Sequence, residues 1–235
     1  GISGLERALD SLLYGKPGLA KTVPLTKDIV NWTDVEPVPG YNIKTTIDIN
    51  MQDIVENELN NVLTTCNADW GVAVLMEVST GNIKAISNLE KSPSSDEYIE
   101  GMNRAVLGYE PGSVVKTLSM MIAVEDGIVK DVDEVITTGH GFAYAGGRPI
   151  TDSHGVASMP VREVIERSSN IGMAKIITSR YGDNPGAFYT RLKKLGFLDP
   201  MNTGIAGERP PRIDSVASNR GGRIALSRMC YGYST

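Results

Sequence analysis

Ser113-Val114-Val115-Lys116 follows a Pro111-Gly112 break and heads a run in which Leu118, Met121, Ile122 and Val124 recur at helical spacing. The spacing predicts a helix whose first turn carries a hydroxyl and an amine. Residues at i and i+3 share one helical face with Cβ atoms about 5–6 Å apart, so Lys116 can reach the oxygen of Ser113. A serine hydroxyl is a weak nucleophile until a neighbour takes its proton, and a lysine can do so once burial lowers its pKa enough to keep it neutral. The first turn of a helix also offers unpaired N–H groups and the positive end of the dipole, both suited to a developing oxyanion.

Taken alone, the same four residues also read as a serine near a helix start followed by a solvated lysine. The rest of the chain decides between the two. This is the only S-x-x-K in the sequence, and the only S-x-N, Ser168-Ser169-Asn170, lies downstream at a break between two helical runs. Ser and Asn there could merely cap a helix. Paired with Ser113 and Lys116, they read as side chains turned into a common cleft.

The remaining composition excludes more than it asserts. With 235 residues, the chain can bury one sizeable core and a small extra module. Hydrophobic residues at 41% and charged residues at 22% are ordinary for a globular protein, and a net charge of −5 gives no electrostatic grip on nucleic acid. No apolar run is long enough to span a bilayer, and no secretory signal opens the chain. Cys66 and Cys230 form no zinc or redox spacing and read as unpaired thiols. His140 and His154 lie in a Gly-rich stretch without a ligand cluster, so no metal site is expected, and general-base chemistry with oxyanion stabilisation needs no cofactor.

Working outward, residues 1–14 read as an amphipathic helix with Leu5, Leu9, Leu12 and Leu13 inward, stopped by Gly15-Lys16-Pro17-Gly18. A Pro-containing connection over 23–40 leads to a short strand at 41–47. Asp48 or Asn50 then caps a helix bearing Ile54, Val55, Leu59, Val62 and Leu63. Residues 71–78 and 82–87 read as a hairpin joined by Ser79-Thr80-Gly81, and 90–98 as an exposed loop. The Ser113 helix ends near Gly127, and 131–160 is expected to hold short strands or loops. Helices follow from Met159-Pro160-Val161 to Arg167, from Ile171 to Tyr181, and from Asn184 to Leu195, the last closed by Gly196. The expected fold class is α+β, an antiparallel sheet with flanking helices plus a helical lobe carrying both motifs.

On these residues the chain resembles the transpeptidase module of class B, monofunctional penicillin-binding proteins, relatives of the serine β-lactamases, in which S-x-x-K and S-x-N motifs accompany a Lys-Thr/Ser-Gly strand. The likeness runs along nearly the whole chain. Gly1-Ile2-Ser3-Gly4-Leu5-Glu6 and Leu13-Tyr14-Gly15-Lys16-Pro17-Gly18 resemble the segment joining the family's pedestal to its catalytic domain. Thr45-Thr46-Ile47-Asp48 with Gln52 resembles the entry helix, and Ala73-Val74-Leu75-Met76-Glu77 with Thr80-Gly81-Asn82-Ile83 the first sheet hairpin. Asn103-Arg104-Ala105 and Tyr109-Glu110-Pro111-Gly112-Ser113 resemble the approach to the nucleophile. Residues 1–40 are thus expected to be linker or the end of a pedestal segment, and 41–235 the transpeptidase domain. The third motif is missing: Lys21-Thr22-Val23 and Lys116-Thr117-Leu118 lack its glycine, and Asn202-Thr203-Gly204 lacks its lysine. The sequence therefore reads as a fragment whose C-terminal strands are missing, impaired as a catalyst and with an exposed sheet edge.

The resemblance implies a D,D-transpeptidase that cross-links peptidoglycan stem peptides ending in D-Ala-D-Ala through an acyl-enzyme, and that binds penicillin. By the same token Ser113 is the nucleophile, Lys116 the base, Ser168 a proton relay, and Asn170 binds the substrate amide and helps orient Lys116. Ser113, Ser168 and Asn170 would also line the substrate site. Glu166, Arg104 and Glu110 flank the motifs and read better as salt-bridge partners. The implied partners are stem peptides, β-lactams, and cell-wall synthesis or division proteins, and the implied place is the outer, periplasmic face of the cytoplasmic membrane, with an N-terminal anchor outside this chain. A β-lactamase or D,D-carboxypeptidase of the same superfamily, and a non-catalytic scaffold module, remain the alternatives.

Overall fold

The computed structural model describes residues 4–25, 28–145, 147–213 and 220–233. The chain divides into two compact units, one from Gly1–Leu107 with Asn202–Arg209, the other from Gly108–Met201 with Pro210–Thr235.

The first unit begins with two short helices, α1 (Gly4–Ala8) and α2 (Asp10–Leu13), where the sequence predicts one. The helical run breaks at Leu9, and Leu5, Leu12 and Leu13 are about two-fifths exposed, so the predicted inward stripe stays partly open. The connection expected over 23–40 is instead an antiparallel hairpin of β1 (Leu19–Leu25) and β2 (Asp28–Val35). Its sequence is rich in β-branched residues, and Pro24 is tolerated because a two-stranded ribbon has two open edges. The strand expected at 41–47 does not form. That segment is irregular and anchored by the Thr46 hydroxyl to the Ile83 carbonyl at 2.7 Å and by the Asp48 N–H to the Lys84 carbonyl at 2.9 Å.

Asp48 caps α3 (Ile49–Cys66), its Oδ1 accepting from the amides of Asn50 at 3.0 Å and Met51 at 3.1 Å. The helix lies against a three-stranded antiparallel sheet of β3 (Trp70–Met76), β4 (Ile83–Lys91) and β5 (Tyr98–Glu100), in the order β3-β4-β5. A Cβ on Gly71 would come within 2.7 Å of Leu63, so the absent side chain lets helix and sheet approach. Gln52 fastens the two layers: its Nε2 donates to the Ile86 carbonyl at 3.0 Å and its Oε1 accepts the Ile86 N–H at 2.9 Å. Among the described residues β3 is the outer strand of this sheet, with Val74, Leu75 and Met76 exposed along it. Part of the loop expected at 90–98 is sheet, because β4 runs on to Lys91 and pairs with β5.

The second unit is the helical lobe. A 3₁₀ turn, Gly112–Val114, runs into α4 (Val115–Glu125). The Gly-rich stretch resolves into two small ribbons, β6 (Val135–Thr137) with β9 (Ser158–Pro160), and β7 (Phe142–Ala145) with β8 (Arg148–Thr151). Then come α5 (Val161–Glu166), α6 (Asn170–Tyr181), α7 (Pro185–Lys194) and α8 (Arg220–Met229).

Helix α6 is the centre of this lobe. Ile171, Met173, Ala174, Ile176, Ile177 and Tyr181 are buried on most of its circumference, as expected of a helix covered on all sides. Around it pack Ile122 of α4, Val164 of α5, Phe188 and Leu192 of α7 and Leu226 of α8. Phe188 is fully buried, edge-on to Tyr181 with ring centroids 5.5 Å apart. Phe188→Ala should therefore cost about 3–5 kcal/mol of folding stability, measurable as a lower urea midpoint. A loss below about 1 kcal/mol would show that the lobe is not packed as described.

Candidate active site

Because the 3₁₀ turn merges into α4, Ser113 and Lys116 keep the i,i+3 relation read from the sequence. The turn is held from the far end of the lobe. The Gly112 N–H donates to the Gly232 carbonyl at 3.0 Å, and a Cβ on Gly232 would sit 1.8 Å from the Gly112 oxygen. With φ of +94° at Gly232 and +61° at Gly112, only glycine meets both backbone and space requirements there. The Ser119 hydroxyl adds a second tie, donating to the Cys230 carbonyl at 2.8 Å.

Lys116 is among the largest buried side chains of the described residues, 2% exposed, whereas Ser113 is exposed. Its Nζ stands 3.1 Å from Ser113 Oγ, 2.9 Å from Ser168 Oγ and 2.6 Å from the Ser168 carbonyl oxygen. Burial pulls its pKa below the ordinary lysine value of 10.5, and Asp152 and Cys230 oppose that shift. A neutral amine has two hydrogens and one lone pair. The Ser168 carbonyl can only accept, so in the neutral state one of the two hydroxyls is free to donate to the nitrogen. That is the arrangement a base needs before it takes a serine proton.

Ser168 faces Lys116 through an unusual backbone. It lies between α5 and α6 with φ of +54°, the left-handed region that non-glycine residues rarely enter. The corner is fixed on both sides. Amides of Ser168 and Ser169 donate back to the Ile165 and Val164 carbonyls at 3.0 and 2.9 Å. Ahead, Ser169 caps α6, its Oγ accepting the Gly172 N–H at 2.9 Å and donating to Asp152 Oδ2 at 2.6 Å. Asp152 Oδ1 accepts from the amides of Asn170 at 2.6 Å and Ile171 at 3.1 Å.

Three of the four residues singled out in the sequence, Ser113, Lys116 and Ser168, thus meet within hydrogen-bonding distance. Asn170 is half-buried at the head of α6, its Nδ2 donating to the Thr151 carbonyl at 3.0 Å. The side chain bonded to Lys116 from this corner is that of Ser168, whereas the Asn170 carboxamide is bonded to Thr151. Sequence reasoning missed Asp152, which sits after β8 in the Gly-rich stretch and carries no local signal of its target. Of the flanking residues, Arg104 belongs to the first unit, where it pairs with Glu90 at 3.2 Å and lies over the Trp70 ring at 4.6 Å. Glu166 is exposed at the end of α5. Cys230 is buried and Cys66 exposed, so only the former behaves as a small hydrophobe. No group of His, Cys, Asp or Glu among the described residues could hold a metal ion.

Residues 71–226 match the family model for the penicillin binding protein transpeptidase domain. The chain belongs to this family. The peptidoglycan D,D-transpeptidase FtsI of Buchnera aphidicola is 32% identical over 219 residues, covering 89% of this chain and 37% of that protein. The probable peptidoglycan D,D-transpeptidase PenA of Neisseria gonorrhoeae is 30% identical over 245 residues, 99% of this chain and 40% of that one. Among solved structures, the apo transpeptidase domain of Burkholderia pseudomallei penicillin-binding protein 3 superposes with a TM-score of 0.62 at 27% identity, over 83% of this chain and 54% of that chain. A peptidoglycan glycosyltransferase from Burkholderia ambifaria gives 0.63 at 27% identity, over 81% and 56%. The chain therefore spans about two-fifths of the length of these curated relatives. The α+β transpeptidase fold read from the sequence is the fold of this family.

Proposed function

We propose that the natural protein is a peptidoglycan D,D-transpeptidase, with residues 41–235 contributing to its transpeptidase domain and 1–40 leading into it. Ser113 attacks the penultimate carbonyl of a stem peptide ending in D-Ala-D-Ala while Lys116 takes its proton. The C–N bond breaks, Ser168 passes a proton to the departing nitrogen, and D-alanine leaves. The amine of a second stem peptide then attacks the ester, making the cross-link and returning the proton to Ser113. Asn170, held at the head of α6, binds the amide of the donor peptide. The peptidoglycan substrate places the protein in the cell envelope, on the outer face of the cytoplasmic membrane, where other cell-wall synthesis or division proteins are its natural company.

One observation carries this reading: the amine of Lys116, a residue 2% exposed to solvent, lies between two serine hydroxyls at 3.1 and 2.9 Å. Burying an amine is costly unless it serves as a neutral base or pairs with a charge. A strained β-lactam amide is attacked in the same way and leaves its acyl group on the serine. The full-length protein incubated with benzylpenicillin should gain the mass of one intact penicillin, and fragmentation should place it on the peptide containing Ser113. Turnover of the antibiotic with no lasting adduct would make the protein a hydrolase, and no reaction at all would leave a scaffold.

A further inference from the structure

Asp152 takes no part in the chemistry just described, yet both its carboxylate oxygens are committed to the corner that presents Ser168. The left-handed region is unfavourable for a non-glycine residue, and Ser168 at φ +54° must be held there by its surroundings. On the α5 side two backbone hydrogen bonds do this. On the α6 side the holding groups converge on one side chain: the Ser169 hydroxyl at 2.6 Å and the Asn170 and Ile171 amides at 2.6 and 3.1 Å all donate to Asp152. Thr151, next to it, receives the Asn170 carboxamide at 3.0 Å. Charge-assisted bonds to a carboxylate at a helix N-terminus are among the stronger local restraints available.

Resting on the transpeptidase reading for its chemical meaning, we propose that Asp152 is a positioning residue: it locks the Ser168–Ser169–Asn170 corner so that both Ser168 oxygens face Lys116. The titratable groups facing Lys116 are Asp152, beyond β8, and the Cys230 thiol, beyond α8. Burial pushes the thiol far above its ordinary range, so it stays neutral. Of the two, Asp152 opposes burial more strongly and keeps the amine from losing its proton at still lower pH.

Asp152→Asn separates geometry from charge, because a carboxamide oxygen still accepts from the Asn170 and Ile171 amides. In full-length protein labelled with [13C]lysine, the ε-methylene resonance of Lys116 is identified by its loss in Lys116→Met and followed against pH. It should titrate at lower pH in Asp152→Asn than in the parent. Coincident titrations would overturn the proposal. This measurement needs no acylation, so it stands even if the protein never reacts with penicillin, a result that would instead remove the transpeptidase reading. Where the parent does react, Asp152→Ala should acylate about 10–100-fold more slowly through the misplaced Ser168, and the acid limb of the rate profile for Asp152→Asn should shift to lower pH. Acylation of Asp152→Ala at the parent rate across the pH range would likewise overturn the proposal.

Discussion

Ser113→Ala is expected to abolish the penicillin adduct, a loss of about 10⁶-fold by analogy with removal of other serine nucleophiles. The structure makes this a sharp test because two hydroxyls compete for one amine. Ser168 Oγ is as near Lys116 as Ser113 Oγ is, both serines are exposed, and both lead into helices. What separates them is their anchoring. Ser168 is tied to Lys116 through its own carbonyl at 2.6 Å as well as its hydroxyl, and its backbone is held in a strained corner. A residue so tethered is suited to relay protons rather than to carry an acyl group. Ser113 sits on a turn that leads straight into α4, whose positive end favours negative charge developing beside it. Ser168→Ala should consequently keep the adduct on Ser113 but form it about 10–100-fold more slowly. Intact mass and peptide mapping of both variants decide the matter. An adduct surviving in Ser113→Ala, and mapped to the peptide holding Ser168, would exchange the two roles.

The parts of this site visible in the sequence were those written in local spacing. An i,i+3 pair on a helix places its own side chains, so Ser113 and Lys116 could be joined without knowing the fold. Helices α3, α5, α6 and α7 were legible from their caps and apolar spacing, and the β3–β4 hairpin from its turn residues. What could not be read was non-local. The Asp152 carboxylate finds the head of α6 only through the packing of β8 beside it. The approach of Gly232 to Gly112 joins the far end of the lobe to the nucleophile turn, and no pattern within either segment announces it. Helix α8 carries a weak sequence signal because Gly221 and Gly222 fall inside it, and tertiary packing of Leu226 and Met229 makes up for it. The β1–β2 hairpin was hidden by Pro24, and the false strand at 41–47 shows that a short β-branched run needs a neighbouring strand before it becomes one.

Lys116→Met is expected to slow acylation of Ser113 by about 10²–10⁴-fold, the range a positioned general base supplies. Methionine keeps an unbranched chain in the buried channel, so the loss reports the amine rather than a cavity. The pH dependence gives a second reading with a definite sign. Burial lowers the pKa of Lys116 in the folded protein below 10.5. Acylation, which needs the neutral amine, should rise with pH through a single limb lying below the ordinary lysine range, and that limb should vanish in Lys116→Met. Stability moves the same way. Between the lowered folded pKa and the ordinary unfolded value, the unfolded chain binds a proton that the folded one has shed, so folding stability rises with pH across that window. Above it both states are neutral and the Lys116 contribution is flat. Urea midpoints measured from neutral to alkaline pH should therefore show a rising component in the parent that is missing from Lys116→Met. A parent whose acylation rate is flat with pH and equalled by the methionine variant would show that the buried amine is not the base.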